Sequence, residues 1–261
     1  MAAADEFDGL LVDLDGVVWV GRELVPGAAE ALRALFERGV EVVFVTNNPA
    51  RPVAAYAERL REAGVAVGED RIVTAGAVTA ELAAERVGAG AGAFAIGAAA
   101  FKDAVAAAGL ELLDGEAGRN AAAVLVSGHR GFDYEELLTA TLALQGGAAL
   151  FATSRDPTLP MPGGAWPGTG AVLAAVETAS GATAEIGGKP ERHLFERARA
   201  LIPGAERVAM VGDRIASDVE GGRRAGLGTI LVLSGATSRP EAERADPRPD
   251  HTIDDLPGLL L

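Results

Sequence analysis

The chain of 261 residues contains no cysteine. That excludes a disulfide framework, a thiolate metal centre and a cysteine nucleophile, and it fits a reducing, cytoplasmic setting. Basic residues are in deficit: 23 Lys and Arg face 37 Asp and Glu, for a net charge of −14. Such a surface repels phosphate backbones and anionic lipid, and no basic patch offsets it, so neither nucleic acid nor a membrane is expected as a partner. Long apolar runs are missing too. Gly88 to Ala100 is rich in Ala and Gly but too short and small-sided to span a bilayer. The segment Met1 to Phe7 lacks a basic region and carries Asp5 and Glu6, so no signal peptide is expected. Lysine is nearly absent: only Lys102 and Lys189 stand beside 21 arginines. In a background that supplies Arg wherever any cation serves, a surviving Lys hints that a compact ammonium is needed.

What is present is a globular composition, 49% hydrophobic and 23% charged, which excludes disorder, collagen and coiled coil. Strands and helices alternate. Apolar runs at Gly9–Leu14, Glu41–Val45 and Ile72–Thr74 read as buried strands, separated by helices over Pro26–Arg38 and Pro52–Ala63. A helix over Ala77–Val87 leads to Gly88–Gly92, which reads as a hinge; its repeated Gly-x-Gly precedes a strand and so is a poor dinucleotide fingerprint. The alternation then restarts: strands at Ala93–Ile96, Ala123–Ser127 and Leu150–Thr153, helices at Ala98–Ala108, Tyr134–Gln145 and Thr169–Ser180, and a proline-rich loop over Ser154–Gly168. The last part holds strands Arg207–Val211 and Thr229–Leu233 around a helix Ser217–Ala225. The predicted fold class is α/β: a Rossmann-like, doubly wound, mostly parallel core over 1–88 and 184–261, with a smaller α/β domain inserted at 89–183.

Four constellations could carry chemistry. Asp13-Leu14-Asp15-Gly16 puts two carboxylates on one side of an extended chain where a strand ends, the edge at which parallel sheets bind ligands. Two such charges ~4 Å apart repel by about 4 kcal/mol at an effective dielectric of ~20, so a cation or a proton must offset them. The same residues also make a plain turn. Thr46-Asn47-Asn48 follows the second strand and can hold a phosphate oxygen or simply cap a turn. Gly187-Gly188-Lys189-Pro190 fails the P-loop pattern, which leaves either a surface turn or a placed lysine. Gly212-Asp213 ends another apolar strand, and Ser217-x-x-Glu220 matches a capping box that would make Asp218 an ordinary first-turn acid.

Taken in order, the four motifs resemble those of the haloacid dehalogenase-like hydrolase superfamily over essentially the whole chain. The insert between the second and third motifs is similar to the large-cap subgroup. Asp13-Leu14-Asp15-Gly16-Val17-Val18-Trp19 and Pro167-Gly168-Thr169-Gly170-Ala171, with Gly188-Lys189-Pro190, look like its para-nitrophenyl-phosphatase or NagD-like branch. The resemblance implies a Mg²⁺-dependent phosphatase of small phosphorylated metabolites. Asp13 would be the nucleophile that becomes an aspartyl-phosphate, Asp15 the general acid and base, and Lys189 the neutralising cation. Asp13, the Asp15 carbonyl and Asp213 would hold Mg²⁺, Thr46, Asn47 and Asn48 would hold the phosphoryl group, and Asp218 would orient Lys189 or a water on the metal. Many members carry an acid where this chain has Ala216, which implies weaker metal binding. In the insert, Arg130 and Arg155 could face a second anionic group of the substrate, with His129 beside them, or all three are solvated loop residues. Trp166 reads as packing, and Trp19 either shapes the pocket entrance or packs. Glycerol 3-phosphate or phosphoglycolate is the preferred substrate; a sugar phosphate, a nucleotide or pyridoxal phosphate, phosphoryl transfer to an alcohol, and a phosphate-binding regulator with weak turnover are the alternatives. A homodimer through the insert is expected.

Overall fold

A computed structural model describes residues 3–161 and 164–261. In chain order, β1 (Gly9–Asp13) leads through a hairpin of β2 (Trp19–Val20) and β3 (Glu23–Leu24) to α1 (Ala28–Glu37), β4 (Glu41–Thr46), α2 (Val53–Glu62), β5 (Ile72–Thr74) and α3 (Ala75–Val87). Then come β6 (Gly92–Ile96), α4 (Ala99–Ala107), β7 (Glu111–Leu112), β8 (Ala123–Val126), α5 (Tyr134–Gln145), β9 (Ala149–Ala152), β10 (Thr158–Met161), β11 (Gly164–Pro167) and α6 (Thr169–Ser180). The chain closes with β12 (Glu185–Ile186), α7 (Arg192–Arg199), β13 (Val208–Gly212), α8 (Glu220–Arg224), β14 (Gly228–Val232), α9 (Arg239–Arg244) and β15 (His251–Ile253).

Two compact units result. The first comprises 1–46, 53–73 and 189–261; the second comprises 47–52 and 74–188. The first carries a six-stranded sheet in the order β15-β14-β13-β1-β4-β5. Its central strand β1 is buried along its whole length, as a parallel strand covered on both faces must be, which is why it reads as an unbroken apolar run. Leu10, Val12, Phe44 and Val211 pack with Leu32, Leu35 and Leu60 of the flanking helices. The second unit has a five-stranded parallel sheet, β12-β9-β8-β6-β7. Its strands alternate sides with period two. Phe94, Ile96, Val124 and Val126 join one core with Leu144, Leu173 and Val176, while Ala93, Ala95, Ala123 and Leu125 join the other with Ala83, Phe101 and Val105.

Several sequence expectations change. Gly88–Gly92 connects α3 to β6, and both elements belong to the second unit, so it is a turn inside one unit rather than a hinge. Helix α3, read with the first part of the chain, packs on α4, β8 and β9, because its Ala80 and Ala83 complete the second core. The proline-rich loop contains the antiparallel ribbon β10–β11, whose two-stranded form leaves edges where a missing N–H does no harm; Pro162 of that loop lies outside the described residues. The helix expected from Ser217 is a π-turn over Ile215–Val219 followed by α8, and the capping box forms instead at Ser238 and Glu241 ahead of α9. Among the described residues no helix is long and apolar enough to cross a membrane.

Candidate active site

The C-terminal edge of the first unit's sheet gathers the acids. Asp13 is the last residue of β1 and pairs in register with Val45, so Thr46 follows one step beyond it on β4. On the other side Val12 pairs with Val211, which brings Gly212 level with Asp13 and Asp213 just past it. Lys189, read as either a surface turn or a placed cation, is only 2% exposed. Its Nζ lies 3.0 Å from Asp13 Oδ2 and 2.7 Å from Asp218 Oδ1. Asp218 is no plain first-turn acid: it is buried, and its Oδ2 accepts the Arg214 N–H at 2.9 Å. Gly212 is required there, because a Cβ at that position would lie 2.2 Å from the Asp218 carboxyl carbon. Gly16, at φ +90°, is excluded from any side chain for the same reason, with Asp213 Oδ2 2.2 Å from where its Cβ would be.

Each of Asp13, Asp213 and Asp218 offers a carboxylate oxygen within 4.8 Å of the others. At that spacing and an effective dielectric of ~20, each ionised pair repels by about 3 kcal/mol. Three carboxylates against one ammonium leave two negative charges in a buried place. Burial, then the charges of Asp218, Asp213 and Asp15, outweigh the pull of Lys189 and push Asp13 well above the usual carboxylate range. Burial and Asp218 likewise raise Asp213 to about 6. Burial alone would lower the pKa of Lys189, but Asp13 and Asp218 outweigh it and hold the ammonium above its ordinary value. Asp213 Oδ2 accepts the Ala236 N–H at 2.6 Å, whereas its buried Oδ1 has no hydrogen-bond partner among the described residues. A hard divalent cation would satisfy both the orphaned oxygen and the surplus charge.

Asp15 is half-buried, and its Oδ1 accepts the Trp19 Nε1–H at 3.1 Å. Sequence reasoning missed the segment after β14: Ser234 Oγ donates to the Gly16 carbonyl at 2.7 Å, and the Ala236 N–H holds Asp213. The signal was there, since Ser234-Gly235-Ala236-Thr237 also follows a core strand.

The comparisons decide the family. The model for haloacid dehalogenase-like hydrolases matches residues 10–111, and a second, HAD-hydrolase-like model matches 186–259. The 5'-nucleotidase YutF of Bacillus subtilis is 33% identical over 96% of this chain and 96% of its own. The chain belongs to the haloacid dehalogenase-like hydrolases. Among solved structures, the glycerol phosphate phosphatase of Mycobacterium tuberculosis in complex with magnesium has a TM-score of 0.89 at 35% identity, covering 99% of this chain and 78% of that one. NagD of E. coli has a TM-score of 0.84 at 29% identity over 95% and 96%.

In this hydrolase the remaining predicted residues, Trp19 apart, lie in the second unit. Asn47 donates from Nδ2 to Asp156 Oδ2 at 3.1 Å, and Asn48 Oδ1 accepts the Ala50 N–H at 3.1 Å, the local turn that Asn favours. His129 is engaged at both ring nitrogens, with Glu136 Oε2 at 2.8 Å and the Gly131 N–H at 3.2 Å. Arg155 forms a bidentate pair with Glu177 at 2.9 and 2.8 Å, which holds the Glu177 carboxyl below its ordinary range. The Arg130 guanidinium lies 4.2 Å over the Trp166 ring, and that indole, read as packing, stands 37% exposed on β11. Trp19 is fully buried, so it packs rather than lining an entrance.

Proposed function

We propose that this hydrolase is a Mg²⁺-dependent phosphatase of small phosphomonoesters. The observation that carries it is Lys189 bridging buried Asp13 and Asp218, beside an Asp213 oxygen that has no hydrogen-bond partner among the described residues. Asp13, Asp213 and the Asp15 carbonyl would hold the cation, with Asp218 fixing Lys189. When bound, Mg²⁺ supplies positive charge against the transferring phosphoryl oxygens and against Asp13. The magnesium complex of the Mycobacterium tuberculosis relative supports that choice of ion.

The chain's own groups then divide the work. The Asp13 carboxylate attacks phosphorus while the ester P–O bond breaks, and Asp15 gives its proton to the departing oxygen. The Asp15 carboxylate next takes a proton from water as the water oxygen attacks the aspartyl-phosphate. The bond to Asp13 breaks and inorganic phosphate leaves. Lys189 offsets charge on Asp13 and phosphate throughout, and Thr46, with the Asn47 backbone, orients the phosphoryl group. Without such positive charge a phosphate dianion could not approach Asp13.

The second unit acts as the cap that chooses the substrate. The Mycobacterium tuberculosis relative supports a three-carbon phosphate such as glycerol 3-phosphate, and the Bacillus subtilis 5'-nucleotidase makes a nucleotide a competing choice; phosphoglycolate is a further candidate. His129 and Arg155 serve that unit structurally, while Arg130 is the more available cation. The assembly is a homodimer through the second unit, where Tyr134 is 74% exposed; light scattering that finds a monomer removes this. The decisive experiment follows phosphate release from para-nitrophenyl phosphate, with Mg²⁺ or with chelator. Activity that needs Mg²⁺ and vanishes in Asp13→Asn supports the reading; full activity in that variant defeats it. A panel of glycerol 3-phosphate, phosphoglycolate and nucleoside monophosphates then ranks the substrates.

A further inference from the structure

We infer that Trp19 is a positioning residue for Asp15, holding its carboxyl in the orientation from which it transfers a proton. The inference rests on the reading of Asp15 as the acid and base. The turn after β1 folds back on itself: the Trp19 N–H donates to the Leu14 carbonyl at 3.2 Å, and the Gly16 N–H donates to the Trp19 carbonyl at 2.7 Å. This places the indole beside Asp15, and its Nε1–H reaches Oδ1 at 3.1 Å. A buried indole N–H needs an acceptor, and here the acceptor is a carboxylate.

The ring itself has little freedom. It is fully buried and lies parallel to Tyr56 of α2, with centroids 6.3 Å apart and planes within 4°. The Arg59 guanidinium, one turn along the same helix, sits 3.9 Å from the ring centroid and also donates to the Gly21 carbonyl at 3.0 Å. Helix α2 therefore fixes the indole, and the indole holds the Asp15 carboxyl through Oδ1. The carboxyl so held carries the proton to the leaving group and later takes one from water. Proton transfer is sensitive to this, because a donor displaced by about 1 Å can lose two orders of magnitude in rate.

The test compares leaving groups. A para-nitrophenolate departs with little need for a proton, whereas the alkoxide of glycerol 3-phosphate needs one. Trp19→Phe keeps an aromatic ring against Tyr56 and removes the N–H. We expect it to lower kcat/KM for glycerol 3-phosphate, which reports the steps up to loss of the leaving group, about tenfold or more, a part of what general acid catalysis contributes. On para-nitrophenyl phosphate kcat/KM should change little. Equal losses in kcat/KM on both esters, or no loss on either, overturn the proposal.

A second measurement does not depend on how that variant folds. In Trp166→Phe protein with isotopically labelled tryptophan, the remaining indole N–H resonance belongs to Trp19. Replacing the acceptor, Asp15→Ala, should move it upfield and speed its exchange with solvent; an unmoved resonance overturns the proposal. The failure of the underlying reading looks different: Asp15→Ala would then turn over both esters normally. Should Asp15→Ala be inactive while Trp19→Phe loses both esters equally, only the role of Trp19 falls.

Discussion

The two units set the same architecture beside two different outcomes. Each has a mostly parallel sheet with helices on both faces, and each ends central strands in polar residues. In the first unit those ends bury Asp13, Asp213 and Asp218 with Lys189. In the second they bury only hydroxyls, Ser127, Thr153 and Ser154. A buried hydroxyl costs little more than a lost hydrogen bond, whereas a buried cluster of carboxylates is unfavourable until counter-charge arrives. The difference teaches that parallel α/β geometry provides an edge, and that side-chain charge decides whether the edge demands a ligand. Glycines mark the same contrast, since Gly16 and Gly212 are forced by carboxylates lying against them.

The comparison breaks most visibly at Lys189. Lys189→Met leaves the carboxylates without their buried partner, and it should cost about 3 kcal/mol of unfolding free energy in urea titrations with chelator, along with turnover. A variant as stable as the wild type would show that the first edge is no more costly than the second.

The next effect is a pH dependence set by the buried acids of the first unit. Asp213 titrates near 3.8 in the absence of structure and is raised to about 6 when folded, so the folded protein binds that proton more tightly. Stability without metal should therefore fall as pH rises from about 4 through 6, and the raised Asp13 extends the fall further. Mg²⁺ should reverse it, because the cation favours the ionised carboxylates. Thermal melts across this range, with chelator and with Mg²⁺, check both signs; parallel curves would contradict the burial argument.

In the second unit the effects shrink. Thr153 Oγ1 is buried without a hydrogen-bond partner among the described residues, so Thr153→Val should be neutral or stabilising by up to about 1 kcal/mol in denaturant titrations. The smallest effect belongs to Arg155→Gln. Its pair with Glu177 is half exposed, and its loss should change stability by less than about 1 kcal/mol, with KM for any phosphomonoester unchanged. A large rise in KM would return Arg155 to the substrate.

The residues at strand ends were legible because a parallel strand buried on both faces announces itself as an apolar run, and Asp13, Thr46 and Asp213 stand where such runs stop. Helices α5 and α6 agree with the sequence reading to the residue, since Asp133 caps the first and Gly181, at φ +75°, closes the second. The glycines of Gly88–Gly92 misled because conformational freedom shows where a chain can turn, not whether its two sides belong to one core. The π-turn at Ile215–Val219 was hidden by a Ser-x-x-Glu pattern that is also a legitimate helix start. Lys189 stood out through its rarity and through the third motif of the family resemblance, and Trp19 could not be told from any packed indole.

By itself, the sequence determined the alternation of strands and helices, the acids at their ends and the family that this order implies. Only the tertiary structure decided that β1 and β13, separated by about 200 residues, lie side by side. That adjacency encloses Lys189 between Asp13 and Asp218 and leaves one Asp213 oxygen without a partner among the described residues. The reason is physical: strand and turn preferences act over a few residues and can be read locally. Desolvation and the interaction of charges depend on what surrounds them, and the surroundings come from distant parts of the chain.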